Sequence, residues 1–143
     1  MTRTVRYVLF VPLICINLAC SSRGKSDSSA EMIEPKFSSI QQQIFNGSCT
    51  APSCHGSGRK GSLSLDAGES YRELVGVVSE DDKKGVPPFL RVEPGKPNSS
   101  FLYIKITKVD SGQGEIMPKG NDRLRQNQID AIRQWIANGA LDD

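Results

Sequence analysis

The clearest hydrophobic pattern in the chain is a helical stripe close to its end. Its members are Ile129, Ile132, Trp135 and Ile136. Spacings of three and four residues place such side chains on one face of an α-helix, and the following Asn138-Gly139 pair is typical of a helix end. The pattern therefore predicts a C-terminal helix whose stripe, including Trp135, packs into a core.

A shorter stripe predicts a first helix. Ile40, Ile44 and Phe45 share one helical face, and Asn46-Gly47 marks its expected end. Ser38 and Ser39 are the expected capping residues, because a glutamine follows each of them three positions later. We expect this helix and the C-terminal helix to pack against each other and close the domain.

Between these two helices the chain is rich in glycine and proline from Gly56 to Pro97, which predicts mostly loops. One helix is expected there, because four apolar residues match a single helical face: Tyr71, Leu74, Val75 and Val78. The periodicity over 99–108 fits either a short helix or a strand, and a helix with Asn98 or Ser99 as its cap is favoured. The predicted fold class is mainly α with a loop-rich middle.

Residues 1–19 have the pattern of an export signal. Arg3 and Arg6 form a positive start, and the apolar run Val8–Ile16 is too short to span a bilayer. We expect this segment to be removed after export from the cytoplasm. Because it takes two basic residues with it, equal numbers of basic and acidic residues are left, which argues against nucleic acid as a partner.

The residues after the signal suggest a lipid anchor. Ala19-Cys20 resembles the cleavage site of bacterial lipoproteins, so Cys20 is the expected lipidation site. Asn17 departs from that pattern, because an aliphatic residue is usual three positions before the cysteine. Residues 20–36 are then a serine-rich tether, and 37–143 form the folded domain. The expected location is the periplasmic side of the inner membrane, or the outer membrane. Plain secretion is the alternative.

The strongest chemical signal is Cys49-Thr50-Ala51-Pro52-Ser53-Cys54-His55, which contains the only histidine of the chain. Two thiols followed directly by an imidazole form the set that attaches c-type haem, usually with two residues between the cysteines. Here four residues separate the cysteines, and Pro52 among them is compatible with a tight turn that bulges out between the two. A disulfide loop is an equally natural use of two close cysteines in an exported protein. Zinc would require a fourth ligand, for which Cys20 is the only remaining cysteine.

A haem iron bound by one histidine has a sixth position, which methionine fills in many electron-carrying cytochromes. Met32 lies in the tether, whereas Met117 lies in a glycine-rich loop and precedes Pro118. Because proline interrupts both helices and strands, Met117 is poorly explained as a core residue of a regular element. Met117 is therefore the candidate distal ligand, and a buried gap-filling methionine is its alternative.

Taken together, these stretches resemble class I cytochromes c, and in particular the single-haem domains of exported bacterial proteins, including planctomycete-type cytochrome c domains. The resemblance covers roughly residues 37 to 141. The matching stretches are Ile40 to Phe45, Cys49 to Gly56, Leu63-Ser64-Leu65, Tyr71-Arg72-Glu73-Leu74, Val92-Glu93-Pro94-Gly95-Lys96-Pro97 with Ser100, Met117-Pro118, and Trp135-Ile136-Ala137-Asn138-Gly139-Ala140.

The resemblance implies N- and C-terminal helices packed around one covalent haem c. Cys49 and Cys54 would form the thioethers, His55 would be the proximal iron ligand and Met117 the distal ligand, with Lys119, water or an empty site as alternatives. It also implies an electron carrier rather than an enzyme, tethered to a membrane and served by redox partner proteins. Two other functions stay open: a haem-free, disulfide-stapled binding lipoprotein, and a haem sensor or peroxidase.

Overall fold

The computed structural model describes residues 32–80, 88–108, 112–120 and 123–143. The predicted export signal, Cys20 and most of the predicted tether lie outside these ranges. The regular structure of the described residues is helical, accompanied by two isolated β-bridges. This confirms a mainly α protein. Within the same ranges no helix is both long enough and apolar enough to cross a membrane.

The first helix, α1 (residues 37–48), is built from three consecutive elements: an α-helix Phe37–Ile40, a π-helical turn Gln41–Phe45 and an α-helical end Asn46–Ser48. Three further helices follow, which are α2 (Ser70–Leu74), α3 (Phe101–Thr107) and α4 (Gln126–Ala137). Short 3-10 turns at Lys60–Ser62 and Pro97–Ser99 lie in the connections. The helices are joined by long loops, as the glycine and proline content predicts.

The predicted pairing of the terminal helices is confirmed. The rings of Phe37 on α1 and Trp135 on α4 have their centroids 5.4 Å apart. Trp135 is 1% exposed, and its stripe neighbours Ile132 and Ile136 are fully buried. Ile129, the fourth member of the stripe, packs at the margin of the same core. The helical stripe read from the sequence is thus the face that closes the domain.

The predicted caps of α1 are wrong. The helix begins at Phe37, so Ser38 and Ser39 lie inside its first turn and neither side chain caps it. The free N–H groups are instead paired with the last residue, because the Phe37 N–H donates to Asp143 Oδ1 at 2.8 Å and the Ser38 N–H donates to the backbone oxygen of Asp143 at 2.9 Å. A partner 106 positions away therefore takes the place of a local capping box.

The second helix is shorter than its apolar pattern suggests. It ends at Leu74, and Val75 is already extended with ψ 120°. Val75 and Val78 form β-bridges with Val92 and Leu90, so they do not continue the helical face that was predicted for them. Gly76, at φ +74°, turns the chain between the two bridges in a conformation that side chains disfavour.

The third helix was predicted with its start one or two residues early. A 3-10 turn occupies Pro97–Ser99, and α3 is preceded by Ser100 as the flanking residue. Ser100 is fully buried, and its Oγ accepts a hydrogen bond from the Glu93 N–H at 2.9 Å. That contact attaches the start of α3 to the loop before it.

The end of α4 is as predicted. The helix stops at Ala137, Asn138 is the flanking residue and Gly139 takes φ +102°. The segment that follows folds back on the core, because the Trp135 indole N–H donates to the Leu141 carbonyl at 2.8 Å and the Tyr71 hydroxyl donates to the Ala140 carbonyl at 2.9 Å. The chain end is thereby brought to the start of α1.

Candidate functional site

The two cysteines and the histidine are held in one compact turn that continues directly from α1. The Cys49 N–H donates to the Phe45 carbonyl at 2.9 Å, which extends the helical hydrogen bonding. The Cys54 N–H closes a turn onto the Ala51 carbonyl at 2.8 Å, and the His55 N–H donates to the Cys49 carbonyl at 3.1 Å. The four intervening residues are thus folded out, and the backbones of Cys49 and His55 meet despite the widened spacing.

Two glycines make this turn possible. A Cβ atom at Gly56 would lie 2.3 Å from the Thr50 carbonyl oxygen, and one at Gly58 would lie 2.1 Å from that of Pro52. Both distances are far below van der Waals contact, so any other residue would push the backbone apart. The sequence alone does not reveal this requirement at Gly58, because the approach depends on how the turn folds.

The two thiols are both free, but their environments differ. Cys49 is half-buried and packs against the hydrophobic core, whereas Cys54 is exposed. Burial, together with the smaller effect of the Cys54 charge, raises the pKa of Cys49 to about 12. Cys49 is therefore a neutral thiol at physiological pH, shielded by the core that α1 and α4 build.

His55 is half-buried, and its Nδ1 atom is enclosed without a hydrogen-bond partner. Enclosing an unpaired polar atom costs free energy, which proteins tolerate most often where function requires it. The backbone of the residue is well anchored, because its carbonyl accepts the Leu65 N–H at 2.6 Å. His55 is thus carried on a fixed backbone segment in the same turn as the two free cysteines, and two thiols with an imidazole are a donor set whose chemistry fits covalent haem.

The loop after His55 is held by a carboxylate that the sequence did not single out. Glu73 on α2 accepts the Ser64 N–H at 2.6 Å and forms an ion pair with Arg59. Burial alone would raise the pKa of Glu73, but the Ser64 N–H, the Arg59 guanidinium and the Arg91 charge outweigh it and hold that pKa below its ordinary value. Glu73 is therefore an ionised clamp on the segment that leads from His55 to Leu65.

Arg91 holds the same loop from the other side. It is 7% exposed, and its guanidinium donates to three main-chain carbonyls, those of Glu73, Gly61 and Ser62. Ser62 has φ +52°, an unusual value for a residue with a side chain. Hydrogen bonds to a buried charged group are among the stronger ones, so Arg91 helps to fix this unusual loop conformation.

Met117 lies on a separate loop, over residues 112–120, and is half-buried. Its N–H donates to the Lys105 carbonyl at 2.7 Å, and the Lys105 ammonium donates to the carbonyls of Gln113 and Glu115. These contacts attach the loop to α3. The Met117 N–H and the Glu115 carbonyl both pair with Lys105 of α3, and the predicted pairing of Met117 with His55 stays a prediction.

The alternative distal ligand, Lys119, is engaged in an exposed ion pair with Glu115 at 2.9 Å. The hydrogen bond and the charge of Glu115 raise the pKa of Lys119, which keeps it an ammonium. An ammonium has no lone pair with which to bind a metal. A cleft of about 400 Å³ opens on this loop, lined by Glu115, Ile116, Lys119, Gly120 and Arg123.

Comparison of the chain with known protein families, with curated proteins and with solved structures gives no match.

Proposed function

We propose that the domain binds one haem covalently through Cys49 and Cys54, with His55 as iron ligand, and serves as an electron carrier outside the cytoplasm. The observation that carries this proposal is the turn itself. It joins the backbones of His55 and Cys49 by a hydrogen bond and contains Cys54 as well, although four residues separate the two free cysteines.

Each residue of the turn has a distinct task. The thiols of Cys49 and Cys54 would hold the haem by adding across its two vinyl groups, the sulfur going to one carbon and the hydrogen to the other, so the attachment would need no oxidant. His55 would supply an imidazole nitrogen to the iron. A bound haem supplies a one-electron redox couple, whose potential depends on its ligands and on burial.

The environment of the thiols is consistent with this use. Both are free, and Cys49 packs at the margin of the core while Cys54 is exposed. Met117 is the proposed distal ligand, because Lys119 is an ammonium in an ion pair with Glu115 and has no lone pair to donate to iron. A fixed thioether in that position favours electron transfer over ligand sensing. Lipidation of Cys20 would attach the carrier to a membrane.

The experiment is mass spectrometry of the full chain expressed with a cytochrome c maturation system. We expect the denatured protein to retain one haem through acid and organic extraction. Cys49→Ser and Cys54→Ser should each leave a single, more labile attachment, and the double variant none. Ser57→Ala, at an exposed residue of the same loop, is the matched control. Colourless protein, or haem retained by the double variant, would refute the proposal.

A further inference from the structure

A buried glutamine lies at the start of the π-helical turn of α1. Gln41 is buried, with 8% of its surface exposed, and it lies next to the fully buried core residues Ile40 and Ile44. A polar side chain in such a place is costly unless its hydrogen bonds are satisfied. π-Helical turns are rare and occur frequently at functional sites, so the role of this side chain warrants an explanation.

The amide of Gln41 is fully paired, and its partners come from three parts of the fold. Its Nε2 donates to Asn46 Oδ1 at 2.7 Å and to the Leu65 carbonyl at 2.9 Å. Its Oε1 accepts the hydroxyl of Ser70, a residue at the start of α2 that is also fully buried. A primary amide has two N–H donors and one oxygen, and all of them are used.

The contact with Leu65 leads to His55. The Leu65 carbonyl accepts from Gln41, while its N–H donates to the His55 carbonyl at 2.6 Å. His55 itself donates to the Cys49 carbonyl, so its backbone is held on two sides. One of these two attachments is local to the turn. The other is the hydrogen bond from the Leu65 N–H, and the carbonyl of Leu65 is held in turn by the Gln41 side chain of α1.

We infer that Gln41 is a positioning residue for His55. It locks the Leu65 segment between α1 and α2, and that segment fixes the backbone on which the imidazole is carried. This inference rests on the proposed function in so far as the imidazole is an iron ligand. The hydrogen-bonded path from Ser70 through Gln41 and Leu65 to His55 is a property of the chain alone.

The test replaces the amide with an apolar side chain of similar length, Gln41→Met, with Gln42→Met as the matched control at the exposed neighbour. Amide hydrogen exchange of Leu65 is compared with that of Ala140, whose N–H donates to the Trp135 carbonyl at the end of α4. We expect Leu65 exchange to rise by about tenfold or more while Ala140 stays unchanged. The NMR signals of the His55 ring should move, and in the haem protein the reduction potential should shift.

A purely structural role for Gln41 predicts a different result. Leu65 and Ala140 would then exchange faster together, with the His55 signals in place, and that outcome overturns the inference. So does unchanged exchange at Leu65. If Gln41→Met does not fold, Gln41→Glu decides: its ionised carboxylate cannot donate to the Leu65 carbonyl, and acidification, which restores a donor, should slow Leu65 exchange by more than it slows that of Ala140, whose rate carries the general pH dependence of amide exchange. Failure of that reversal also overturns the inference.

The two proposals fail in different ways. A parent protein without covalent haem refutes the proposed function and removes the iron from the inference. A parent with covalent haem whose Gln41→Met variant keeps the exchange rate of Leu65 and the reduction potential refutes the positioning role and leaves the proposed function standing.

Discussion

Replacing Trp135 by alanine tests the central packing contact of the domain. The indole is 1% exposed and lies between the terminal helices, 5.4 Å from the ring of Phe37. Its N–H donates to the Leu141 carbonyl, so the side chain also fastens the segment that brings Asp143 to α1. The substitution removes the ring contact, opens a cavity and releases that segment.

The expected cost follows from the area that the ring buries. A buried tryptophan hides roughly 200 Å². At about 25 cal/mol per Å², this corresponds to an upper limit of about 5 kcal/mol. Truncations of buried Trp or Phe to Ala cost about 3 to 5 kcal/mol, and we expect Trp135→Ala to fall in that range. For a domain of this size the melting temperature should drop by roughly 12 °C or more.

The assay is urea unfolding followed by far-UV circular dichroism, because Trp135 is the only tryptophan and its variants lack a fluorescence signal. Trp135→Phe keeps a ring against Phe37 but loses the hydrogen bond, and should cost about 1 to 2 kcal/mol. Gln134→Ala, at the exposed neighbour on α4, should stay within about 0.5 kcal/mol of the parent. A loss below about 1 kcal/mol for Trp135→Ala would refute the central role of this contact.

Three other predictions address the ligand, the anchor and the loop clamp. Met117→Ala should keep covalent haem but move the iron to high spin, allow carbon monoxide to bind and lower the reduction potential. An unaltered absorption spectrum of the variant, or carbon monoxide binding by the parent, would count against Met117 as the iron ligand. Cys20→Ser should be released in soluble form while the parent partitions into detergent, and equal partitioning would indicate plain secretion. Folding lowers the pKa of Glu73, so the ionised carboxylate contributes to stability at neutral pH, and this contribution is lost as the pH falls below the ordinary value of 4.5. Glu73→Gln should therefore destabilise the protein at neutral pH. In acid, the stability of the variant should approach that of the parent. Parallel acid-unfolding curves of the two proteins would contradict that clamp.

Features that depend on local periodicity and on adjacency could be predicted from the amino-acid sequence. The stripe through Ile132 and Trp135 predicted both the last helix and its buried face, and Gly139 marked its end, because helix periodicity and the φ freedom of glycine are local properties. Cys54 and His55 adjoin in the chain, so their proximity needed no fold. The haem that they are proposed to bind remains a prediction from their chemistry.

The partners of the polar groups could not be predicted in this way, because they depend on the folded chain as a whole. The start of α1 is capped by Asp143, which no pattern near Phe37 could reveal. The helix α2 ends where Val75 forms a β-bridge with Val92, a residue that follows much later in the chain. Gln41 reads in the sequence as one more polar position, yet packing buries it and supplies an acceptor from the segment after His55. Hydrophobic spacing reports which face of an element is buried, whereas a buried hydrogen bond depends on what the rest of the chain brings to that face.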